Sequence, residues 1–354
     1  MNGENLQIID VTIRQGGFMV HNNVLKEQVA DIAKGLEEAG VSWMEVSHGR
    51  GIGAKRAGYP GLFPDSELLK AARKAAPKMK LSGYLSPYPY SILDVESVAK
   101  LVDAFRLSID LDDASKSVEN VRAVAKTGVP VTALLERAHR LDPEKVVEVA
   151  AKLEEAGAKA FCLADTFGSM TSDDVRKYFE ELRRKTSLPL GFQGFDTTGR
   201  AIGNSLAALD AGAESLDASL LGLGPSGGMA ALETLAALAP RLPKKLRLDL
   251  KQLCLTGRWY ALPAMRYLPS LRSADLLLSK RKLDYYPVEF LERLAGILEM
   301  DLEMMLAQLD AVKGDRLRLK EIDLREFLAQ QNLDFDVVLE FIKTGRIPDV
   351  EASS

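Results

Sequence analysis

The chain has 354 residues, 47% of them hydrophobic, and a formal net charge of -4. That length can bury one large core with an appendage, and the absence of a basic excess argues against nucleic acid as a partner. No apolar run approaches the roughly 20 residues that span a bilayer, and MNGENLQIID lacks a basic and apolar leader, so no membrane association and a cytoplasmic location are expected.

In chain order, short apolar runs rich in branched and aromatic residues occur at 6–13, 43–49, 80–87, 104–111, 130–137, 160–167, 188–195 and 215–223. Each reads as a strand. Between them lie segments such as VLKEQVADIAKGLEEAG and PEKVVEVAAKLEEAGAKA, apolar at every third or fourth position and closed by Gly, which read as helices. Strand starts recur about every 25 to 37 residues, the length of a strand, helix and return loop. Eight such units predict a (β/α)8 barrel over residues 1–243, in preference to an open doubly wound sheet. From 244 to 354 the alternation stops. Segments such as EFLERLAGILEMDLEMMLAQLDAV keep only a helical period, which predicts a helical C-terminal region whose Met and Leu stripe packs a core or a subunit contact. The two cysteines, Cys162 and Cys254, are too few for a disulfide framework or a thiolate zinc site.

Barrels of this kind carry their chemistry at the carboxyl ends of the strands. Polar residues there include Asp10, Thr12, Arg14 and Gln15, then Glu45, Ser47 and His48, then Tyr84 and Ser86, and Arg106, Ser108 and Asp110. Glu136, Arg137, Asp165, Thr166, Gln193, Asp196, Asp217 and Ser219 complete the ring. About half of these carboxylates are expected only to cap helices or accept loop amides.

DVTIRQG, MEVSHGRGIG, LADTFGSM and the long run from GFQGFDTTGRAIGN to GPSGGMAALETL resemble the signature segments of the DRE-TIM metallolyases, the superfamily of isopropylmalate synthases and HMG-CoA lyase. The branch most resembled is 4-hydroxy-2-oxovalerate aldolase. The likeness covers the barrel, in four segments in order; the C-terminal region does not closely resemble that aldolase's helical domain. The resemblance implies a divalent metal, held by an Asp and two His, that polarises a 2-oxo acid carbonyl. At those positions this chain has Gln15, Gln193 and Phe195, while Phe18 stands where the aldolase has its catalytic His, and Arg50 replaces an acidic residue. Arg14, which in the family orients the carbonyl, is kept with Glu45, Asp165, Thr166, Asn204 and Asp217.

Three readings compete. In the first, the chain is a metal-independent lyase without cofactor, acting on a small anionic carbonyl compound, with Arg14, Gln15, Glu45, His48 and Tyr84 as catalytic candidates. Arg50, Arg106, Asp165, Thr166, Gln193, Phe195 and Asp196 would then bind substrate. In the second it is a silent relative that binds a ligand or supports a partner. In the third a metal returns through Asp10, Asp196 or Glu45.

No strand carries a lysine in its outer half, which argues against a Schiff-base aldolase. GLGPSGG has the look of a phosphate loop but is more simply the family's own loop. HGRGIG with Lys55 and Arg56 could form a flexible charged lid, although solvated loop charges are the simpler expectation. His21 reads as a surface or capping residue and His139 as facing either site or solvent, and the histidines are too scattered for a metal triad. A homodimer is expected from the apolar C-terminal helices and from family habit, and a partner enzyme is possible on the same analogy.

Overall fold

The computed structural model describes residues 5–86, 91–283, 288–316 and 319–344. Eight parallel strands close into a barrel in the order β1 to β8. They are β1 (Gln7–Asp10), β2 (Trp43–Glu45), β3 (Lys80–Leu85), β4 (Ala104–Ser108), β5 (Val131–Leu135), β6 (Ala160–Asp165), β7 (Leu190–Gly194) and β8 (Ser215–Ala218). Every one falls inside a run expected to be a strand, and Pro87, the last residue of the third run, lies outside the described residues. The ladder closes where β1 pairs with β8, Ile9 opposite Asp217 and Asp10 opposite Ala218.

Each strand is followed by at least one helix. The principal ones are α1 (Thr12–Gly17), α2 (Lys26–Glu38), α3 (Asp65–Ala75), α4 (Ile92–Val98), α5 (Ala114–Ala125), α6 (Pro143–Glu155), α7 (Ser172–Lys185), α8 (Ala201–Asp210) and α9 (Leu232–Leu238). Alternate strand residues such as Met44, Leu81, Phe105, Phe161 and Phe192 face these helices and join Ile32, Leu36, Val121 and Phe179 in the main core. The opposite faces fill the barrel, where Tyr84, Leu134, Cys162 and Ala164 form a separate apolar cluster. A parallel sheet buried on both faces explains why the strand runs read as nearly continuous apolar stretches.

Residues after β8 do not leave the barrel at 243. Leu6 N–H donates to Lys245 O and Asn5 bridges to the same residue, and α10 (Leu250–Thr256) packs on α2. The approach is close: a Cβ on Gly35 would stand 2.3 Å from Thr256 Oγ1. The chain therefore divides into units 1–271 and 272–354, not at 243/244. Within the second unit, α12 (Ser273–Arg281), α13 (Val288–Ile297), α14 (Leu302–Lys313), α15 (Glu321–Gln330) and α16 (Phe335–Thr344) follow a short α11 (Leu262–Met265). They enclose a core of their own around Leu291, Leu294, Leu306 and Phe327. The expected helical character of the C-terminal region holds for its described residues, and residues 345–354 lie outside them. None of the helices is long and apolar enough to cross a membrane, among the described residues.

Candidate active site

The interior of the barrel is polar over two layers. In the deeper one, β4 carries Arg106, fully buried at 1% exposure. Its Nη2 donates to Asp217 Oδ2 at 2.6 Å and to Cys162 Sγ at 3.3 Å, and its Nη1 stands 3.3 Å from Glu45 Oε2. Gln193 Nε2 donates to the same Asp217 oxygen at 2.5 Å. The even strands β2, β4, β6 and β8 contribute Glu45, Arg106, Cys162 and Asp217, the four side chains of one layer of such a barrel, and Gln193 reaches in from β7.

The layer nearer the carboxyl ends is built around Arg14. Because Asp10 accepts the Thr12 N–H at 3.1 Å, the chain turns into α1 immediately after β1, and Arg14 is carried in over the barrel. Its guanidinium stacks 3.8 Å from the Tyr84 ring centre and reaches Glu136 Oε1 at 3.4 Å and Glu45 Oε1 at 3.9 Å. Tyr84 Oη also donates to Glu136 at 3.2 Å, Ser108 Oγ donates to its other oxygen at 2.7 Å, and Arg137 Nη2 lies 3.2 Å away. Arg14 thus links Glu45 of the deeper layer to Glu136.

Those two carboxyls are tuned apart. Burial, which outweighs Arg106 and Arg14, raises the Glu45 carboxyl above its ordinary range. Burial also acts on Glu136, but there Arg137 and Arg14, with the bonds from Ser108 and Tyr84, prevail and hold the carboxyl low. Burial pushes the Tyr84 phenol up to about 12. Opposed shifts on neighbouring acids are the usual mark of assigned proton-transfer roles.

Several atoms here have no hydrogen-bond partner although they are buried: Arg14 Nε and Nη1, Gln15 Nε2, both Glu45 oxygens, Gln193 Oε1, Asp217 Oδ1, and the hydroxyls of Ser47 and Ser219. Buried polar groups left unmet cost about 1–3 kcal/mol each. Those of Arg14, Glu45, Asp217 and Gln193 belong to one connected group of contacts, which makes it the candidate site.

The other candidates sit apart from this cluster. His48 is held in the loop after β2, its Nε2 2.7 Å from Pro60 O and its Nδ1 accepting from Arg50 N–H at 3.0 Å. That pattern corresponds to the neutral Nε2–H tautomer, in accord with the downward push of burial on its pKa. Neither nitrogen is offered to the Arg14 cluster. Arg50 stacks on Tyr59 at 4.8 Å. The loop is anchored: His48 N–H and Gly53 N–H donate to Asp65, Gly49 N–H to Asn22, and Ile52 N–H to Tyr84 O. Gly51 has φ of 99° against the backbone of Ser86, so a glycine of HGRGIG serves the turn that these bonds hold. Arg56 pairs with Asp94 at 2.6 Å.

Asp165 accepts the N–H groups of Ser169 and Met170, Asp196 accepts that of Ala201 at the start of α8, and Thr166 Oγ1 accepts that of Arg137. Phe195 is half-buried and bridges to Met229. Asp10 lies on the helix-facing side of β1, bonded to Thr12. Asp10, Asp196 and Glu45 therefore do not converge. In GLGPSGG the N–H groups of Gly222, Leu223 and Gly228 donate to the carbonyls of Ser219, Leu220 and Pro225, which makes it a self-bonded turn. Both ring nitrogens of His139 face α7 and its loop, one 3.2 Å from Ser169 Oγ and the other 3.8 Å from Asp174.

The residues present do not fit the divalent metal that the family implies. Gln15 and Gln193 offer at most neutral oxygens, Phe195 none, and Arg106 already occupies the space between Glu45 and Asp217. Among the described residues no three His, Cys, Asp or Glu side chains gather as a ligand group. Glu136, Ser108 and Asp217 were polar strand-end residues with nothing in their spacing to single them out; only the closed barrel brings them to Arg14 and Arg106.

Residues 92–259 match the HMGL-like family. A 4-hydroxy-2-oxovalerate aldolase from Carboxydothermus hydrogenoformans is 32% identical over 265 residues, 74% of this chain and 79% of the relative. The 4-hydroxy-2-oxovalerate aldolase 2 of Rhodococcus opacus is 28% identical over 359 residues, 99% of this chain and 98% of its own, so the likeness runs on through the C-terminal helices that the motifs leave out. The carboxyl transferase domain of Rhizobium etli pyruvate carboxylase, solved with pyruvate, superposes with a TM-score of 0.77 at 20% identity, over 95% of this chain. This chain spans 62% of that longer one, and the likeness is one of fold. On its sequence relatives, the protein belongs to the HMGL-like, or DRE-TIM, family of barrel lyases, alongside the 4-hydroxy-2-oxovalerate aldolases.

Proposed function

We propose that the protein is an aldolase-type carbon–carbon lyase that acts without a divalent metal on a small 2-oxo acid. The observation that carries this reading is the set of buried, unpartnered donors on one turn of α1: Arg14 Nε and Nη1 and Gln15 Nε2. Donors fixed in a dry site stabilise an oxyanion without reorganising. A 2-oxo carbonyl oxygen that becomes an enolate is the ligand that would use them.

In the cleavage direction a 4-hydroxy-2-oxo acid loses its hydroxyl proton to Glu45, whose raised pKa suits it to take and return a proton. The bond between the third and fourth carbons breaks, its electron pair moves onto the 2-oxo oxygen, and an aldehyde leaves. Arg14 and Gln15 bear the enolate charge. Tyr84, a neutral phenol at physiological pH, then protonates the enolate carbon, and the resulting phenolate lies under the Arg14 guanidinium. Solvent exchange returns Glu45 and Tyr84 to their starting states.

The test is pyruvate release from 4-hydroxy-2-oxo acids by chelator-treated protein, with metal content measured on the same sample. Turnover is expected to survive chelation, and Arg14→Ala to lower kcat/KM by about 100-fold or more, the scale of a lost oxyanion donor. Turnover that vanishes on chelation and returns with Mn²⁺, or that ignores Arg14→Ala, would overturn the reading.

A further inference from the structure

We infer that Arg106 is the resident cation of an oxygen-lined site inside the barrel, a positioning residue that supplies in covalent form the charge a bound ion would supply. Four buried oxygens surround this layer without hydrogen bonds: both of Glu45, Asp217 Oδ1 and Gln193 Oε1. Carboxylate and amide oxygens are the donor set of a hard divalent cation. Here a guanidinium stands among them, 2.6 Å from Asp217 and 3.3 Å from Glu45. Two carboxylates so deeply buried at 1% side-chain exposure or less require a counter-charge. The planar fork of arginine can serve two at once, as its two terminal nitrogens do here.

The fit is incomplete, and the mismatch is informative. Arg106 Nε and Nη1 make no hydrogen bond, so the guanidinium satisfies charge better than it satisfies geometry. A structural ion pair built for its own sake would be expected to use those donors. The layer also reaches the mouth: Glu45 lies between Arg106 and Arg14. By fixing Glu45, Arg106 acts on the Arg14 cluster through another residue.

Arg106→Met removes the charge while retaining much of the volume. The variant is expected to take up about one Mn²⁺ per chain by calorimetry, with a rise in Tm on adding the ion that the parent protein and Arg106→Lys do not show. Adding Glu45→Gln or Asp217→Asn should abolish uptake. A folded Arg106→Met that binds none of Mn²⁺, Mg²⁺ or Zn²⁺ would overturn the inference, as would uptake indifferent to Glu45→Gln or equal in Arg106→Lys. If Arg106→Met is recovered unfolded, refolding decides: native circular dichroism regained with a divalent ion supports the site, and failure with every ion refutes it. Ion uptake by this variant is read without any turnover, so its failure is distinct from failure of the lyase reading.

Discussion

The loop after β2 and the barrel interior both bury charged groups, yet they treat them differently. In the loop, Asp65 is 6% exposed and each of its oxygens receives a backbone N–H, at 2.7 and 3.1 Å. In the interior, Glu45 is completely buried and neither oxygen receives any. Asp165 and Asp196 side with the loop, both oxygens of the first and one of the second met by the first amides of the next segment. A carboxylate whose acceptors are met by its own loop is finished as structure. One held only by neighbouring cations, with acceptors to spare, is unfinished until something else arrives. On the proposed function, the contrast separates catalytic from capping residues at strand ends that look alike in sequence.

The largest effect should come from breaking the interior side of this contrast. Arg106→Met strands Glu45 and Asp217, and removing one partner of a buried ion pair costs about 3–5 kcal/mol; urea unfolding should show it, and a loss below about 1 kcal/mol would mean that water already screens the layer. Next comes a pH effect. Asp10, buried against the helices, has its carboxyl raised from 3.8 to about 7 by burial. A carboxyl raised in the folded state binds its proton more tightly there than in the unfolded chain. Its contribution is therefore intact below about pH 4 and is lost as pH climbs to about 7, by up to about 4 kcal/mol. Asp165, raised by burial to about 6, adds a slope of the same sign. Stability followed in urea across this window should fall with pH, and Asp10→Asn should flatten the curve; identical slopes in parent and variant would remove Asp10 as its source.

The fold was legible because each strand must be apolar on both faces and each helix on one, a pattern that survives without any homologue. Element ends were less so. The run 6–13 looks like one strand, but Asp10 takes the Thr12 amide and the chain turns into α1 at once. The division at 271/272 was hidden because α10 returns to α2 through Gly35 and Thr256, a contact between residues far apart in the chain. Arg14, Gln15, Glu45 and Tyr84 were readable from strand-end position and family likeness, and the barrel brings Arg14, Glu45 and Tyr84 into contact. His48 was readable only as a histidine in the right segment; its ring turns to Pro60 for reasons internal to the loop. Arg106 reads as one more substrate-binding cation until the register of β4 places it beneath Arg14 in the interior, facing Asp217 across the barrel.

The smallest effect tests the finished side. Asp65→Ala removes acceptors for His48 N–H and Gly53 N–H together, and a charged acceptor lost from a buried donor is worth roughly 1.5–3 kcal/mol. The expected loss is roughly 2–3 kcal/mol, because part of the loop can open to water. Asp65→Asn keeps one acceptor oxygen and should lose about half as much. The consequence for the site is more telling than the stability loss. His48 and Gly53 pin the loop whose Ile52 N–H is bonded to Tyr84 O, so hydrogen exchange should quicken at Gly53 and Ile52 in Asp65→Ala. The ring of Tyr84 is held separately, by Arg14 and Glu136. Turnover on 2-oxo acids should therefore survive Asp65→Ala at a temperature where the variant is folded. If turnover falls as far as in Arg14→Ala, the loop is part of the catalytic machinery, and the distinction drawn from met and unmet oxygens fails.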